Sequence, residues 1–216
     1  MQGDSIVVEE HHRRAARAIS KHILPRLVDA DTRYVITVAG ESGSGKSETA
    51  QASADELSRH GIECGILQQD DYFVYPPISN DRARRRDIGW VGPQEVRIDV
   101  LDANLREFLD GATALVKPLV VYDEDKVVEE TIDVASAQVL FAEGTYTTLL
   151  MNANTRVFID RTYVETRAHR EKRARHRAEL DPFIDRVLAI EHDIIAAHKD
   201  NADLIVNADY EVTVAD

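Results

Sequence analysis

One short segment near the start of the chain constrains its fold more than any other. Residues 40–47 read Gly-Glu-Ser-Gly-Ser-Gly-Lys-Ser, a full match to the G-x-x-x-x-G-K-[ST] pattern of a phosphate-binding P-loop. An apolar, β-branched run from Tyr34 to Ala39 precedes the loop, and a helical stretch follows from Ser47. This order predicts a strand, a loop and a helix whose positive dipole end faces the phosphates.

Each residue type in this loop has a physical role. Glycines allow the tight turn that points backbone N–H groups at phosphate oxygens. Lys46 adds a mobile positive charge for the β- and γ-phosphates, and Ser47 offers a hydroxyl to Mg²⁺. The sequence therefore predicts that ATP and Mg²⁺ bind here, with these contact residues: Gly40, Ser42, Gly43, Ser44, Gly45, Lys46, Ser47 and Glu48.

The composition limits the classes of protein that remain. The chain has 216 residues, 44% of them hydrophobic, which suits a single α/β domain over residues 1–216. Its net charge of -13 argues against a general nucleic-acid binder. No stretch approaches the ~20 apolar residues that span a membrane, and the polar N-terminus has no apolar signal core. We expect a cytoplasmic protein without nucleic-acid or membrane partners, for which a homo-oligomer stays open.

Alternating strand and helix patterns predict the architecture. Strands are expected at 33–39, 62–69, 139–142, 156–160 and 203–206, and helices at 9–29, 45–60, 98–110, 163–179 and 182–198. This alternation is typical of an α/β fold with a doubly wound parallel sheet. Two further runs, 119–122 and 127–132, predict a small β-hairpin. The polar segment 74–97 is predicted to be a long substrate-side loop, and the N-terminal helix within residues 1–30 to pack on the sheet edge.

Acidic residues follow two of the predicted strands. Asp70 and Asp71 come directly after the second strand, and Glu143 ends a later apolar strand. Ligands of doubly wound sheets bind at the carboxyl ends of the strands, so these carboxylates are expected near the phosphates. A carboxylate there can accept the proton of an attacking hydroxyl or hold Mg²⁺. We predict Ser47, Asp70 and Glu143 as metal ligands; the alternative is that the acids only terminate strands and cap turns.

The helix predicted from residue 163 is rich in arginine. Arg170 and Arg173 lie three residues apart and share a face. Guanidinium groups bind phosphate and stabilise a transferring phosphoryl group, so on a lid at 165–182 both would be catalytic. The competing interpretation is a solvated helix whose arginines pair with neighbouring glutamates. A second run, Arg82 to Arg86, fits either an anionic substrate or a flexible basic loop.

These motifs, in this order, resemble the uridine kinase and phosphoribulokinase group of P-loop kinases over roughly residues 33–210. The segment Gln69 to Phe73 is similar to the motif whose first Asp is the family's catalytic base, which implies that role for Asp70. The strand that ends Glu143-Gly144 is also similar. The resemblance implies an ATP-dependent kinase acting on a small-molecule hydroxyl beneath a covering hairpin, with these candidate substrate contacts: Asp71, Tyr72, Arg97, Tyr122, Lys126 and Arg167.

Two departures from the family pattern bear on the acceptor. Uridine kinases carry a His just beyond a Tyr-Asp pair and an Asp just before the proline aligned with Pro93, whereas Lys126 and Val91 stand at these places. The acceptor is therefore expected to be a sugar, a sugar phosphate, a vitamin-like molecule or a nucleoside other than uridine. A regulatory NTP-binding module and a kinase-type toxin stay open as alternatives, although the Asn-Lys-x-Asp motif of a GTPase switch is absent.

Overall fold

The helices and strands follow one another largely as the periodicity predicts. A computed structural model describes residues 6–27, 33–167 and 181–215. The α-helices of this part are α1 Glu10–Ile23, α2 Lys46–Ser58, α3 Pro77–Arg86, α4 Ile98–Leu109 and α5 Pro182–Ile195. The strands are β1 Tyr34–Gly40, β2 Cys64–Gln68, β3 Ala114–Val121, β4 Lys126–Asp133, β5 Val139–Glu143, β6 Thr155–Ile159, β7 Leu204–Val206 and β8 Val212–Val214.

The described strands form one main sheet and one separate hairpin. The main sheet has the order β2-β5-β1-β6-β7-β8, and all its pairs are parallel except β7 with β8. Strands β3 and β4 pair antiparallel outside that sheet. The register sets Glu143 of β5 beside both Val38 of β1 and Gln68 of β2. The segments that follow these three strands therefore meet at one edge, and the predicted α/β fold with a parallel sheet is confirmed.

Apolar clusters on both faces hold the sheet. Strand β1 is buried along its whole length because it is central and covered on both sides. On one face, α1 and α2 pack together over the sheet through Ile19, Ile23, Ala50 and Leu57. Helix α1 thus lies against α2 on a face of the sheet. The prediction that it packs on the sheet edge is wrong. Helix α4 covers the opposite face.

The segment 74–97 corrects one expectation, because it is not a long loop. It contains α3 and two short 3₁₀ turns, Ile88–Trp90 and Pro93–Glu95. Pro77 at the first turn suits a helix start, but α3 has almost no apolar periodicity. Two of its arginines, Arg84 and Arg85, instead pair with acids far along the chain, Glu191 and Asp181, which no local pattern signals.

Several smaller differences complete the comparison. Helix α1 ends at Ile23 and passes into the 3₁₀ turn Leu24–Arg26, around the proline where an end was expected. The hairpin strands are longer than predicted, and β8 was not predicted. Most of the predicted helix 163–179, with Arg170 and Arg173, lies outside the described residues. Among the described helices, none combines the length and apolar character that crossing a bilayer requires.

Candidate active site

The P-loop follows β1 directly and runs into α2. Gly43 and Gly45 adopt the left-handed backbone, with φ of 76° and 95°. A Cβ on Gly45 would also lie 2.6 Å from the Tyr210 hydroxyl, so the position excludes a side chain on two grounds. The Lys46 ammonium donates to the carbonyl of Glu41, 2.8 Å away. The loop therefore has the backbone that a phosphate cradle needs, with its lysine folded back on the loop.

The serine at the end of the loop contacts the glutamate at the end of β5. Ser47 Oγ donates to Glu143 Oε1 at 2.9 Å, and Gln68 Nε2 donates to the same oxygen at 3.4 Å. Burial, together with the charge of Asp70, raises the pKa of Glu143 to about 7, although Lys46 acts in the opposite direction. These oxygen donors lie at the sheet edge where the sequence placed a metal site.

A buried glutamine fixes the backbone around Asp70. Residues Gln69–Tyr72 form a 3₁₀ turn in which Asp70 is exposed and Gln69 is buried. Gln69 Oε1 accepts a 2.7 Å hydrogen bond from the Tyr146 backbone N–H. The Gln69 side chain lies over Gly144, where a Cβ would come within 2.2 Å of it. The glycine after Glu143 is thus required to seat Gln69, a link that the sequence analysis missed.

The neighbouring aspartate has a structural partner where the sequence predicted a substrate contact. Asp71 is buried; Lys117 Nζ donates to its Oδ2 at 2.9 Å, and the Val120 N–H donates to its Oδ1 at 3.1 Å. Lys117 also lies 2.7 Å from Glu130 Oε1. Both Lys117 and Val120 belong to β3, so Asp71 fastens the hairpin to the base of the site.

Tyr72 is a core residue, and its prediction as a substrate contact is wrong. Its side chain is fully buried, and its hydroxyl donates to Asn104 Oδ1 on α4 at 2.9 Å. An aromatic ring beside two aspartates gave no local sign of this burial. The turn directs Asp70 outward, and Asp71 and Tyr72 inward.

A cavity of about 430 Å³ separates the end of the P-loop from the hairpin. On the P-loop side it is lined by Ser47 and Glu143, and on the hairpin side by Lys117, Leu119 and Glu130. Its walls carry both charged and apolar groups. The hairpin therefore bounds open space beside the Ser47–Glu143 contact.

The other predicted substrate residues are spread around this centre. Tyr122 is half-buried at the hairpin tip, and Lys126 is exposed and paired with Glu124. Arg97 is exposed at the start of α4. Arg167 is exposed, 3.7 Å from Asp185. These four side chains stay candidate substrate contacts, and the two predicted catalytic arginines lie outside the described residues.

Comparison with known proteins identifies the family. The family model for the phosphoribulokinase / uridine kinase family matches residues 35–215. The chain belongs to the phosphoribulokinase / uridine kinase family. The resemblance inferred from the motifs is thereby confirmed, as is the enzyme class: a kinase that transfers phosphate to a hydroxyl group. Membership implies the use of ATP.

Individual relatives agree with this membership. The chain is 30% identical over 196 residues to a bifunctional alpha-galactosidase/sucrose kinase from Mediterraneibacter gnavus, covering 85% of this chain but only 21% of that much longer protein. It is 27% identical to a uridine kinase from Latilactobacillus sakei, covering 80% of this chain and 84% of that one. A possible uridine kinase from Bacillus stearothermophilus shares the fold, with a TM-score of 0.57 at 21% identity, over 84% and 94% of the two chains.

In this kinase the P-loop is joined to residues 163–166 and to α5. The buried Glu41 carboxylate accepts from the Tyr163 N–H at 2.6 Å and lies 2.7 Å from His192 Nδ1 on α5. Thr166 Oγ1 donates to the Ser42 carbonyl at 3.0 Å. Sequence reasoning missed this junction because its partners lie more than 100 residues apart and belong to no shared motif.

The arginine run 82–86 is divided between different surroundings. Arg84 is largely buried and paired with Glu95 and Glu191, and Arg85 bridges Asp81 and Asp181. The remaining arginines of the run line a surface cavity of about 470 Å³ beside Tyr75. Neither expectation for the run, contact with an anionic substrate or a flexible basic loop, describes the paired arginines Arg84 and Arg85.

Proposed function

We propose that this chain transfers the γ-phosphoryl group of ATP to a hydroxyl of a small sugar-type acceptor. The observation that carries the proposal is the 2.9 Å contact between Ser47 and Glu143, beside Lys46 and the exposed Asp70. A phosphate-binding lysine, a pair of metal-binding oxygens and a base thereby share one edge of the sheet. Catalysis in such a site consists mostly of positioning and charge stabilisation.

Each residue has a role in this scheme. The loop amides and Lys46 hold the phosphates, once the lysine leaves the Glu41 carbonyl. Ser47, Glu143 and Asp70 offer the hard oxygen ligands that suit Mg²⁺, which when bound neutralises charge on the β- and γ-phosphates. Asp70, with its exposed carboxylate, accepts the proton of the acceptor hydroxyl. Arg170 and Arg173 are proposed to meet the transferring phosphoryl group from the lid.

The acceptor is proposed to be a sugar rather than uridine because the nucleoside-reading residues are missing. Val91, where the family resemblance places a ribose-binding Asp, is buried and apolar. Lys126, where it places a base-contacting His, is exposed and paired with Glu124. Each hydrogen bond that uridine fails to make costs about 1–3 kcal/mol, or roughly 5- to 150-fold in specificity. The relative that is 30% identical is named as a sucrose kinase.

An assay of ADP release across acceptors tests this proposal. The purified chain is given ATP, Mg²⁺ and one acceptor at a time: sucrose, fructose, glucose, their phosphate esters, uridine or cytidine. Lys46→Ala is the negative control. It removes the positive charge that is proposed to bind the phosphates, and because Lys46 is only half-buried we expect little effect on folding. We expect a sugar to give the highest kcat/KM. Uridine at or above ~10⁴ M⁻¹s⁻¹, the lower end of typical enzymes, and ahead of every other acceptor, would refute the sugar assignment.

A further inference from the structure

A buried charged cluster joins α3, the turn before α4, and α5. Arg84 binds both oxygens of Glu95, with Nη2 at 2.8 Å from one of them, and the same Nη2 lies 3.1 Å from Glu191 Oε1. Asn80 Nδ2 and the Gly92 N–H also donate to Glu95, at 2.9 and 3.0 Å. Glu95 is 0% exposed and Glu191 only 8% exposed. The cluster therefore holds two carboxylates against one guanidinium away from bulk water.

Hydrogen bonding within this cluster is uneven. Four donor groups satisfy Glu95, whereas Glu191 receives a hydrogen bond only from Arg84 among the described residues. The Tyr146 hydroxyl is buried and has no hydrogen-bond partner in the described part of the chain. Burial raises the pKa of Tyr146, and the nearby charges of Glu191 and Glu95 raise it further. An acceptor oxygen on Glu191 and a hydroxyl on Tyr146 are thus left with unused hydrogen-bonding capacity in the same region.

The cluster is attached to the segment that carries Asp70. The Tyr146 N–H is bonded to Gln69, directly before Asp70, and the Val74 N–H donates to the Glu95 carbonyl at 2.7 Å. The charges of Lys46 and Asp70 both act on the Glu191 carboxyl, whose pKa is raised chiefly by burial. The unused hydrogen-bonding groups therefore belong to a cluster that is joined by backbone hydrogen bonds to both ends of the segment around Asp70.

We propose that Glu191 and Tyr146 bind hydroxyl groups of an uncharged polyol acceptor, and that the surplus negative charge of Glu191 and Glu95 excludes phosphorylated acceptors. This inference rests on the proposed function and narrows its acceptor class. A sugar hydroxyl can donate to the Glu191 carboxylate and accept from the Tyr146 hydroxyl at the same time. A phosphate ester would bring a second anion toward two buried carboxylates that share a single guanidinium, and like charges in such surroundings repel strongly.

Tyr146→Phe is the sharpest test, because the removed hydroxyl has no protein partner among the described residues. A purely structural role predicts unchanged kinetics and unchanged or higher stability. We expect the acceptor KM to rise about 5- to 10-fold, the effect of one neutral hydrogen bond, with the ATP KM changed less than twofold. Glu191→Gln should raise the acceptor KM about 10-fold or more and reduce the discrimination between fructose and fructose 6-phosphate.

A matched control variant separates an effect on acceptor binding from an effect on the contact between α3 and α5. Arg85 and Asp181 link α3 to the start of α5 at the surface, with a 2.7 Å contact. Asp181→Asn weakens that link without touching the cluster, and it should leave the acceptor KM unchanged. All variants are measured with the acceptor that the wild type turns over best.

The possible results distinguish a failure of this inference from a failure of the proposed kinase function. Acceptor KM values that stay at the wild-type level in both Tyr146→Phe and Glu191→Gln overturn the inference, as does a best acceptor that carries a phosphate; both results leave the kinase chemistry intact. A wild-type protein that transfers phosphate to no acceptor overturns the proposed function, and the inference with it.

Discussion

Replacing Lys117 with Met should destabilise the protein strongly, because it would leave the buried Asp71 carboxylate without its positively charged partner. The Lys117 and Asp71 side chains are only 5% and 4% exposed, and 2.9 Å separates their charged atoms. Removing one partner of a buried ion pair costs about 3–5 kcal/mol, since the remaining charge stays buried and uncompensated. Asp71 keeps its bond from the Val120 N–H, so we expect the lower end, about 3 kcal/mol. Met retains the unbranched chain and much of the packing.

Urea unfolding followed by circular dichroism measures this loss, and the hairpin offers its own control. Lys126 is an exposed hairpin lysine paired with Glu124, and surface pairs contribute about 0–1 kcal/mol, so Lys126→Met should have little effect. Adding Asp71→Asn to Lys117→Met should recover part of the loss, because a neutral amide is easier to bury. A loss below ~1 kcal/mol for Lys117→Met, or an equal loss for Lys126→Met, would refute the role given to the buried pair.

Three further predictions address the catalytic site. Asp70→Asn should lower turnover by ~10²–10⁴ while ATP binding by calorimetry persists; wild-type turnover would remove Asp70 from the base role. Arg170→Ala and Arg173→Ala should each depress kcat more than ATP affinity in steady-state assays, and two silent variants would remove both arginines from the catalytic role. Glu143 has its pKa raised from 4.5 to about 7, so between these pH values the folded, metal-free protein binds more protons than the unfolded chain. Its free energy of unfolding should therefore fall by roughly 3 kcal/mol as pH rises through that window, and Glu143→Gln should flatten the fall in urea titrations.

Local patterns were enough to predict the sheet and the phosphate loop. The P-loop is one contiguous motif, and its flanking strand and helix have clear periodicity. The carboxyl ends of parallel strands meet at one edge, so the proximity of Glu143 to Ser47 could be inferred without any long-range information. The alternation of strands and helices predicts a parallel sheet, whereas the order of its strands comes from the structure.

Long-range pairing set the limit on prediction. Helix α3 has few apolar residues, and Arg84 finds its partners 11 and 107 positions away, so its sequence is indistinguishable from a basic loop. Adjacent residues around Asp70 point in opposite directions because of a single tight turn. Sequence spacing alone could not show that Tyr72 enters the core or that Asp71 binds the hairpin.

Glu41 connects the P-loop to two segments far along the chain. One carboxylate joins the loop to Tyr163 and to His192, while the carbonyl of the same residue holds Lys46. A nucleotide that draws Lys46 toward its phosphates removes one hydrogen bond from the Glu41 backbone, whose side chain holds Tyr163 and His192. We therefore expect nucleotide binding to alter the contacts of Glu41 with Tyr163 and His192, and a change in those contacts to alter nucleotide affinity in return, because linkage is reciprocal.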